Sequence, residues 1–279
     1  MAGKLYVVGT PIGNMSDFSP RAIETLSSVS FIAAEDTRVT LKLLNRFEIK
    51  KPMVSYFKHN KRERGEYICS RIENGEDCAI VTDAGMPCIS DPGEDLIALC
   101  AERGIQTVVV PGPSAVISAL AVSGLSTGRF CFEGFLSVNK KSRREHLQAL
   151  KNETRTMVFY EAPHKLPATL EDLYSAFGER RLSIVREITK LHEEVIRTTT
   201  KEACRLYTEN PLKGEIVLVL EGAKIEDTKL SDHTLSDAVN AALKLEKDGM
   251  SPAAAAKEAA SLYDFKKNDI YKGMLKNDV

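Results

Sequence analysis

Long apolar runs are missing from this chain of 279 residues. No stretch approaches the roughly 20 apolar residues that a membrane-spanning helix needs. The first ten residues, MAGKLYVVGT, run straight into a strand-like segment, without the charged, apolar and small-residue zones of a signal peptide. We therefore expect a cytoplasmic protein.

Paired cysteines and metal-ligand spacings are missing too. The six cysteines are scattered, none forms a CxxC pair, and none has a histidine at ligand spacing. Most lie in apolar stretches such as CAIVT, where a free cysteine behaves as a small hydrophobic side chain. This usage predicts a reducing compartment and no structural metal.

The chain also lacks an excess of charge of either sign. It has 38 basic and 39 acidic residues and a net charge of −1, so global charge gives no argument for nucleic-acid binding. Two local basic runs exist, KHNKRER at residues 58–64 and KKSRR at residues 140–144. Each run by itself is typical of a solvated helix face.

What the chain does contain is a regular alternation of short apolar strands and amphipathic helices, which indicates an α/β fold. Up to residue 111 the predicted strands are 5–9, 29–34, 52–56, 78–82 and 107–111, and the predicted helices are 20–28, 38–46, 60–73 and 93–103. Continuous apolar strands separated by helices predict a parallel sheet covered on both faces. This segment forms the predicted N-terminal lobe, residues 1–111.

A second lobe is predicted over residues 112–223. Its predicted strands are 130–135, 155–161, 182–188, 193–198 and 215–221, and its predicted helices are 114–123, 141–151, 165–177 and 201–208. Two of these strands follow each other without a helix between them, which predicts a mixed sheet. Residues 224–279 show only helical periodicity and predict a helical extension.

Three loops rich in glycine and proline follow predicted strands of the first lobe. They read GTPIGN at 9–14, TDAGMPCISDPG at 82–93 and PGPSA at 111–115. Glycine allows close backbone approach and proline restricts the chain, and in an open α/β sheet ligands bind outside the carboxyl ends of the strands. The three loops together predict one ligand pocket.

The pocket is poorly suited to phosphate. Residues 9–13 do not match GxGxxG, no GxxxxGK[ST] motif is present, and proline removes N–H donors that a phosphate cradle would use. A backbone-lined pocket with a few carboxylates suits a nucleoside that carries a cationic centre. S-adenosylmethionine has both features.

Seven motifs occur in order between residues 9 and 222: GTPIGN, AEDTR, DAGMPCISDPG, PGPSA, FEGF, FYEAPHK and KGEIVLVLEG. Together they resemble the tetrapyrrole-methylase superfamily, whose members are S-adenosylmethionine-dependent methyltransferases distinct from the Rossmann type. AEDTR, DAGMPCISDPG and YEAPHK are most similar to the branch that methylates the ribose 2′-hydroxyl of a cytidine in 16S rRNA. That branch also has a helical extension after the second lobe.

The resemblance implies two α/β lobes, S-adenosylmethionine as cofactor, the small ribosomal subunit as partner, and a cytoplasmic homodimer. A methyltransferase of the same fold that acts on a tetrapyrrole remains an alternative. So does a non-catalytic module that binds a nucleoside or nucleotide.

The resemblance and the loop positions predict three sets of site residues. The expected cofactor contacts are Pro11, Asp83, Gly85, Met86, Ile89, Ser114, Ala115 and Tyr160, with the strand at 215–223 closing the pocket. The expected catalytic or substrate-orienting residues are Glu35, Asp36, Arg38 and Lys165. The expected RNA contacts are Lys58, Lys61, Arg62, Lys140, Lys141, Arg143, Arg144 and His164, with Lys266 and Lys267 of the extension as a third basic patch.

Two of these residues carry a second interpretation. Asp36 is equally well placed to be the N-cap of the following helix. Met86 stands where tetrapyrrole-type relatives often have the aspartate of a GDP motif. The lost carboxylate shifts the expected contacts of Met86 to the backbone.

Overall fold

A computed structural model describes residues 2–207, 212–224, 234–263 and 265–276 of the chain. The chain divides into two compact units, Met1–Gly222 and Ala223–Val279. Among the described helices, none combines the length and the apolar character that crossing a membrane would require.

The first half of the larger unit is built on a five-stranded sheet. Its strands are β1 (Lys4–Val8), β2 (Phe31–Ala34), β3 (Met53–Ser55), β4 (Cys78–Val81) and β5 (Gln106–Val110), in the order β3-β2-β4-β1-β5. Every pair is parallel. All residues of β2 and β4 are buried, because helices cover both faces of the sheet. The predicted parallel sheet is confirmed.

Four helices cover this sheet: α1 (Pro20–Ser28), α2 (Thr37–Arg46), α3 (Lys61–Glu73) and α4 (Glu94–Glu102). Ser19 caps α1 through a hydrogen bond from Ala22 N, and Pro20 occupies the first turn, where its missing N–H costs nothing. Side chains of β2 alternate between two cores. Ile32 packs with Leu26 on one face, whereas Phe31 belongs to the opposite core.

The second half of the larger unit has a mixed sheet, as predicted. Its strands are β6 (Phe130–Phe135), β7 (Thr156–Glu161), β8 (Arg181–Arg186), β9 (Glu194–Thr199) and β10 (Ile216–Leu220), in the order β6-β7-β10-β8-β9. Only β6 and β7 are parallel among these pairs. Helix α5 (Ala115–Val122) packs on one face, and α6 (Lys140–Ala149), α7 (Leu166–Phe177) and α8 (Thr200–Tyr207) contribute to the core on the other.

The observed boundaries lie within two residues of the predicted ones wherever both can be compared. Two short 3-10 turns, Met15–Asp17 and Pro163–Lys165, were not predicted, because single turns have no periodicity to detect. The predicted strand 182–188 ends earlier, at Arg186, since Glu187 adopts a positive φ of 51°. Residue 208, the predicted end of α8, and residues 225–233 of the predicted extension lie outside the described residues.

The smaller unit contains three described helices, α9 (Leu235–Lys247), α10 (Pro252–Tyr263) and α11 (Lys267–Lys276). A capping box starts α9: Thr234 Oγ1 accepts from Asp237 N, and the Asp237 carboxylate accepts from Thr234 N. The core of the smaller unit contains small side chains such as Ala242 and Ala256, with Ile270 and Met274 from α11. Alanine at the contact lets the three helices approach closely.

Candidate active site

The loops after β1, β4 and β5 are joined by hydrogen bonds into one rigid edge. Thr10 and Gly85 form a two-way backbone bridge, with N···O distances of 2.9 and 3.1 Å. The buried hydroxyl of Thr10 donates to Thr82 O at 3.2 Å. Gly112 N donates to Met86 Sδ at 3.3 Å. Met86 belongs to the loop after β4, and its thioether therefore binds this loop to the loop after β5.

Close backbone approach explains two of the glycines in these loops. A Cβ added to Gly9 would lie 2.7 Å from Gly112 Cα and 2.7 Å from Met86 Sδ. A Cβ added to Gly112 would in turn lie 2.8 Å from Gly9 Cα. Only glycine at both positions lets the ends of β1 and β5 touch.

A cavity of about 470 Å³ lies between these loops and the second sheet. Its volume is in the range typical of small-molecule sites. The first lobe contributes Ile12, Glu35, Thr82, Asp83, Ala84, Gly85, Met86, Ile89, Ser90 and Asp91. The rest of the lining comes from Ser114, Ala115, Phe135, Tyr160, Glu161, Ala162, Pro163, Ile188, Glu215, Ile216 and Val217.

Seven of the eight predicted cofactor contacts line this cavity. They are Asp83, Gly85, Met86, Ile89, Ser114, Ala115 and Tyr160. Pro11 is not part of the lining, whereas its neighbour Ile12 is. Ser114 stands at the N-cap of α5, but its side chain does not accept a hydrogen bond from that helix. Its hydroxyl therefore remains available to a ligand.

The cavity is strongly acidic. Five acidic residues line it, Glu35, Asp83, Asp91, Glu161 and Glu215, and none of the described lining residues is basic. Two of their carboxylates have partners of their own: that of Glu215 pairs with Lys190 Nζ at 3.0 Å, and that of Glu161 accepts from Ala162 N and Thr169 Oγ1. Burial, with a smaller effect of the Glu35 carboxylate, raises the pKa of Asp91 to about 6. The same two causes raise the pKa of Asp83. Such shifts are typical of functional sites.

Two of these acidic residues, Asp91 and Glu161, were not predicted as site residues, whereas Glu215 begins the segment that was expected to close the pocket. Asp91, Glu161 and Glu215 each lie in a motif that the sequence analysis quoted, but nothing in the sequence shows which side chains of a motif face the cavity. The backbone carries a further signal near Asp91. Cys88 and Ser90 adopt positive φ angles of 71° and 62°, which non-glycine residues rarely do outside constrained sites.

Glu35 and Asp36 occupy different positions at the end of β2. Glu35 lines the cavity and accepts a hydrogen bond of 2.7 Å from Thr82 Oγ1. Asp36 instead caps α2, accepting from Arg38 N at 2.8 Å, and binds the Arg38 guanidinium with both oxygens. Hydrogen bonds from the Arg38 side chain and backbone lower the pKa of Asp36 to about 2. A carboxylate with so low a pKa is a poor proton acceptor, so the geometry favours the capping role.

The remaining predicted residues do not line the cavity. Asp36 N donates to Asp83 Oδ1 at 3.3 Å, which places Arg38 at the cavity rim with its side chain 86% exposed. His164 and Lys165 belong to the turn Pro163–Lys165, and only Pro163 of that turn lines the cavity. Lys58 and Arg62 are exposed beyond β3, and Lys61 pairs with Asp95 at 2.6 Å. Lys266 and Lys267 belong to the smaller unit.

The basic run on α6 separates into exposed and internal members. Lys140, Lys141 and Arg144 are exposed. The Arg143 side chain is only 13% exposed, and it bonds Asp172 at 2.5 Å and Thr169 Oγ1 at 2.8 Å. Thr169 Oγ1 in turn donates to the Glu161 carboxylate at the cavity. Arg143 therefore holds α6, α7 and the end of β7 together.

We expect Arg143→Ala to lower the free energy of unfolding by about 1–3 kcal/mol, because it leaves the buried hydroxyl of Thr169 without its donor and removes the ion pair with the half-exposed Asp172. Lys141→Ala removes a side chain that is 86% exposed and should change stability by less than about 0.5 kcal/mol. Urea unfolding of both variants measures the difference. Equal stability of the two variants would show that the internal network contributes nothing.

Comparison with known proteins identifies the family. The family model for Tetrapyrrole (Corrin/Porphyrin) Methylases matches residues 4–204. The Ribosomal RNA small subunit methyltransferase I of Synechocystis is 49% identical over 237 residues, which cover 84% of this chain and 85% of that protein. The protein of the same name from Haemophilus influenzae is 41% identical over 274 residues, covering 97% and 96%. The chain belongs to the tetrapyrrole methylases, in the small subunit methyltransferase I branch.

Solved structures support the fold of this methylase. A uroporphyrin-III-C-methyltransferase from Thermus thermophilus superposes with a TM-score of 0.55 at 19% identity, over 78% of this chain and 94% of that one. A cobalt precorrin-4 methyltransferase of cobalamin biosynthesis gives 0.59 at 16% identity, over 78% and 94%. The two-lobed α/β architecture is thus shared with enzymes that methylate macrocycles.

The cavity of this methylase fits the cofactor of its family, S-adenosylmethionine. The cofactor has a sulfonium and an ammonium group, and the carboxylates of Glu35, Asp83 and Asp91 provide complementary charge. Ile12, Ile89 and Ile188 provide apolar surface for a nucleoside, and the hydroxyl of Ser114 is available for hydrogen bonding. Among the described residues, no cluster of side chains suits a metal ion.

Proposed function

We propose that this methylase transfers a methyl group from S-adenosylmethionine to the ribose 2′-hydroxyl of a cytidine in 16S rRNA, acting in the cytoplasm as a homodimer. The observation that carries the proposal is the acidic cavity bounded by the three loops, in a chain closely related to methyltransferases named for small subunit rRNA. The quoted motifs AEDTR, DAGMPCISDPG and YEAPHK support the 2′-hydroxyl of cytidine as the target.

The cofactor would be held mainly by the first lobe. Asp83 and Ser114 would bind its polar groups, while Gly85, Met86 and Ala115 would contact it through their backbone and apolar atoms. The cofactor supplies a methyl group on a sulfonium, whose leaving group is a neutral thioether. Because the leaving group is already activated, positioning the acceptor hydroxyl provides much of the rate.

The acceptor hydroxyl must also lose its proton as the new O–C bond forms. We assign this role to Asp91, since a carboxyl with a pKa of about 6 is ionised at neutral pH and still basic enough to accept a proton. Glu35, held by Thr82, keeps the pKa of Asp91 raised and would orient the hydroxyl. Arg38, held by Asp36 at the rim, would orient the RNA backbone.

Methyl transfer from labelled cofactor to small ribosomal subunits tests this function directly. Subunits from cells that lack the protein should accept about one methyl group each, and mapping of 2′-O-methylation should find it on a cytidine of 16S rRNA. Label on a precorrin-type macrocycle alone would overturn the proposal. So would calorimetry in which ATP binds and S-adenosylmethionine does not.

A further inference from the structure

The loop after β3 stands at the same edge of the sheet as the active-site cavity. Ser55 of β3 pairs with Ala34 of β2, and Tyr56 N donates to Ala34 O at 2.8 Å. Tyr56 is therefore level with Glu35, one strand spacing of about 4.8 Å to its side, and Phe57 follows it one residue beyond the point where Glu35 leaves β2 for the cavity. Any chain that enters the cavity over this edge passes close to Phe57.

This loop presents an exposed aromatic pair on a rigid turn. Phe57 is 38% exposed, although it is a large apolar side chain, and its ring lies 6.2 Å from that of His59. Asn60 fixes the turn: its Oδ1 accepts from Phe57 N at 2.9 Å, and its Nδ2 donates to Ser55 O at 3.1 Å. The backbone that carries the ring is thus held by the turn itself.

Cationic side chains occur in the same segment and at the end of the neighbouring strand β2. Lys58 and Arg62 are exposed in the same segment, and they take part in no ion pair within the described part of the chain. The Arg38 side chain, at the cavity rim, is 86% exposed, and two hydrogen bonds hold its guanidinium group against the Asp36 carboxylate. The cavity is lined by the acidic residues Glu35, Asp83 and Asp91, whose carboxylates repel phosphate. The phosphates of a nucleic-acid substrate must therefore be held outside it, where these cations stand.

We propose that Phe57 and His59, with Lys58, Arg62 and Arg38, form a platform that stacks and holds an unpaired nucleotide beside the one that is methylated. An aromatic ring among cations is the usual arrangement for single-stranded RNA, because each base offers a face for stacking and each phosphate a charge. The proposal rests on the proposed function, since it takes RNA as the substrate. It adds that the nucleotide beside the methylated one is unpaired and that the RNA passes over the loop after β3.

Binding of a fluorescent, unpaired RNA oligonucleotide to the full chain, measured by anisotropy without cofactor, tests the platform. We expect Phe57→Ala to weaken binding about 10-fold, because one base loses its stacking partner. Phe57→Tyr keeps the ring and should stay within about twofold of the unsubstituted chain. Tyr174→Ala removes an aromatic ring of the same 38% exposure from α7 and should also stay within about twofold.

Lys58→Ala provides a second, independent readout. It should reduce the slope of log affinity against log salt by about 1, because one phosphate contact is lost. Phe57→Ala should leave this slope unchanged, since stacking releases no counterions.

Two results would overturn the platform. One is equal RNA affinity of Phe57→Ala and Phe57→Tyr. The other is a Phe57→Ala variant that binds intact small subunits more weakly but binds the RNA oligonucleotide as tightly as the unsubstituted chain. That result would indicate that Phe57 contacts a protein. The binding assay needs no methyl transfer, so a Phe57-dependent affinity in a chain that fails to methylate subunits would overturn the proposed function and leave the platform standing.

Discussion

Replacing Gly9 by alanine is expected to lower the affinity for S-adenosylmethionine at least about tenfold and the free energy of unfolding by about 1–3 kcal/mol. The new Cβ would lie 2.7 Å from both Gly112 Cα and Met86 Sδ. One of these contacts is backbone, so the ends of β1 and β5 must separate. That separation breaks the hydrogen bond from Gly112 N to Met86 Sδ and displaces two of the three loops that bound the cavity.

Gly128→Ala is the matched control for this effect. Gly128 has no atom within 4 Å of an added Cβ and no positive φ, so the same chemical change meets open space. It should be neutral or should stabilise the fold by about 0.4–1 kcal/mol through the unfolded state. Calorimetric titration and chemical unfolding of the two variants separate the cases. If Gly9→Ala binds the cofactor as tightly as Gly128→Ala does, the close approach of the loops is not required for the pocket.

Asp91→Asn is expected to reduce kcat by roughly 10²–10⁴-fold, because it removes the proposed proton acceptor while keeping the shape of the side chain. In the unsubstituted enzyme kcat should rise as the pH passes through about 6, where Asp91 ionises. The variant should lack this rise. The matched control is Asp248→Asn, which makes the same change at the exposed end of α9.

Asp91→Asn, which should lower kcat, should raise the stability of the fold at pH 8. The folded-state pKa of Asp91 lies above its ordinary value of 3.8, so its protonated form is favoured by folding and its ionised form is disfavoured. The associated stability is present below pH 3.8 and is lost as the pH rises through about 6. Asparagine stays neutral throughout, so at pH 8 the variant should melt at a higher temperature than the unsubstituted enzyme.

Unfolding scans at pH 4 and pH 8 measure this difference, which should shrink toward the acid end. A variant that is less stable at pH 8 would show that the Asp91 carboxylate is stabilised by its surroundings rather than strained by burial. Retention of full kcat by a folded Asp91→Asn variant would assign proton removal to another group, with Glu35 as the next candidate. The Glu35→Gln variant would then be expected to show the loss of kcat.

The kind and order of the structural elements follow from local sequence, and they could be predicted. Ser19 and Pro20 mark the start of α1 because capping and the first turn involve only neighbouring residues. The four-residue strands FIAA and CAIV read as buried because every position is apolar. The three glycine- and proline-rich loops were located at one sheet edge because consecutive parallel strands must end on the same side.

The tertiary structure alone decided which side chains of those loops meet. Placing β1 between β4 and β5 brings Gly9 against Gly112 and Thr10 against Gly85, across long stretches of chain. No local pattern specifies strand neighbours, because that choice depends on how whole layers pack. For the same reason Asp91 was missed and Arg143 was assigned to the surface. The sequence by itself determined that a pocket exists at this edge and what class of cofactor suits it, while the packing of the two lobes decided which acidic residues line the cavity.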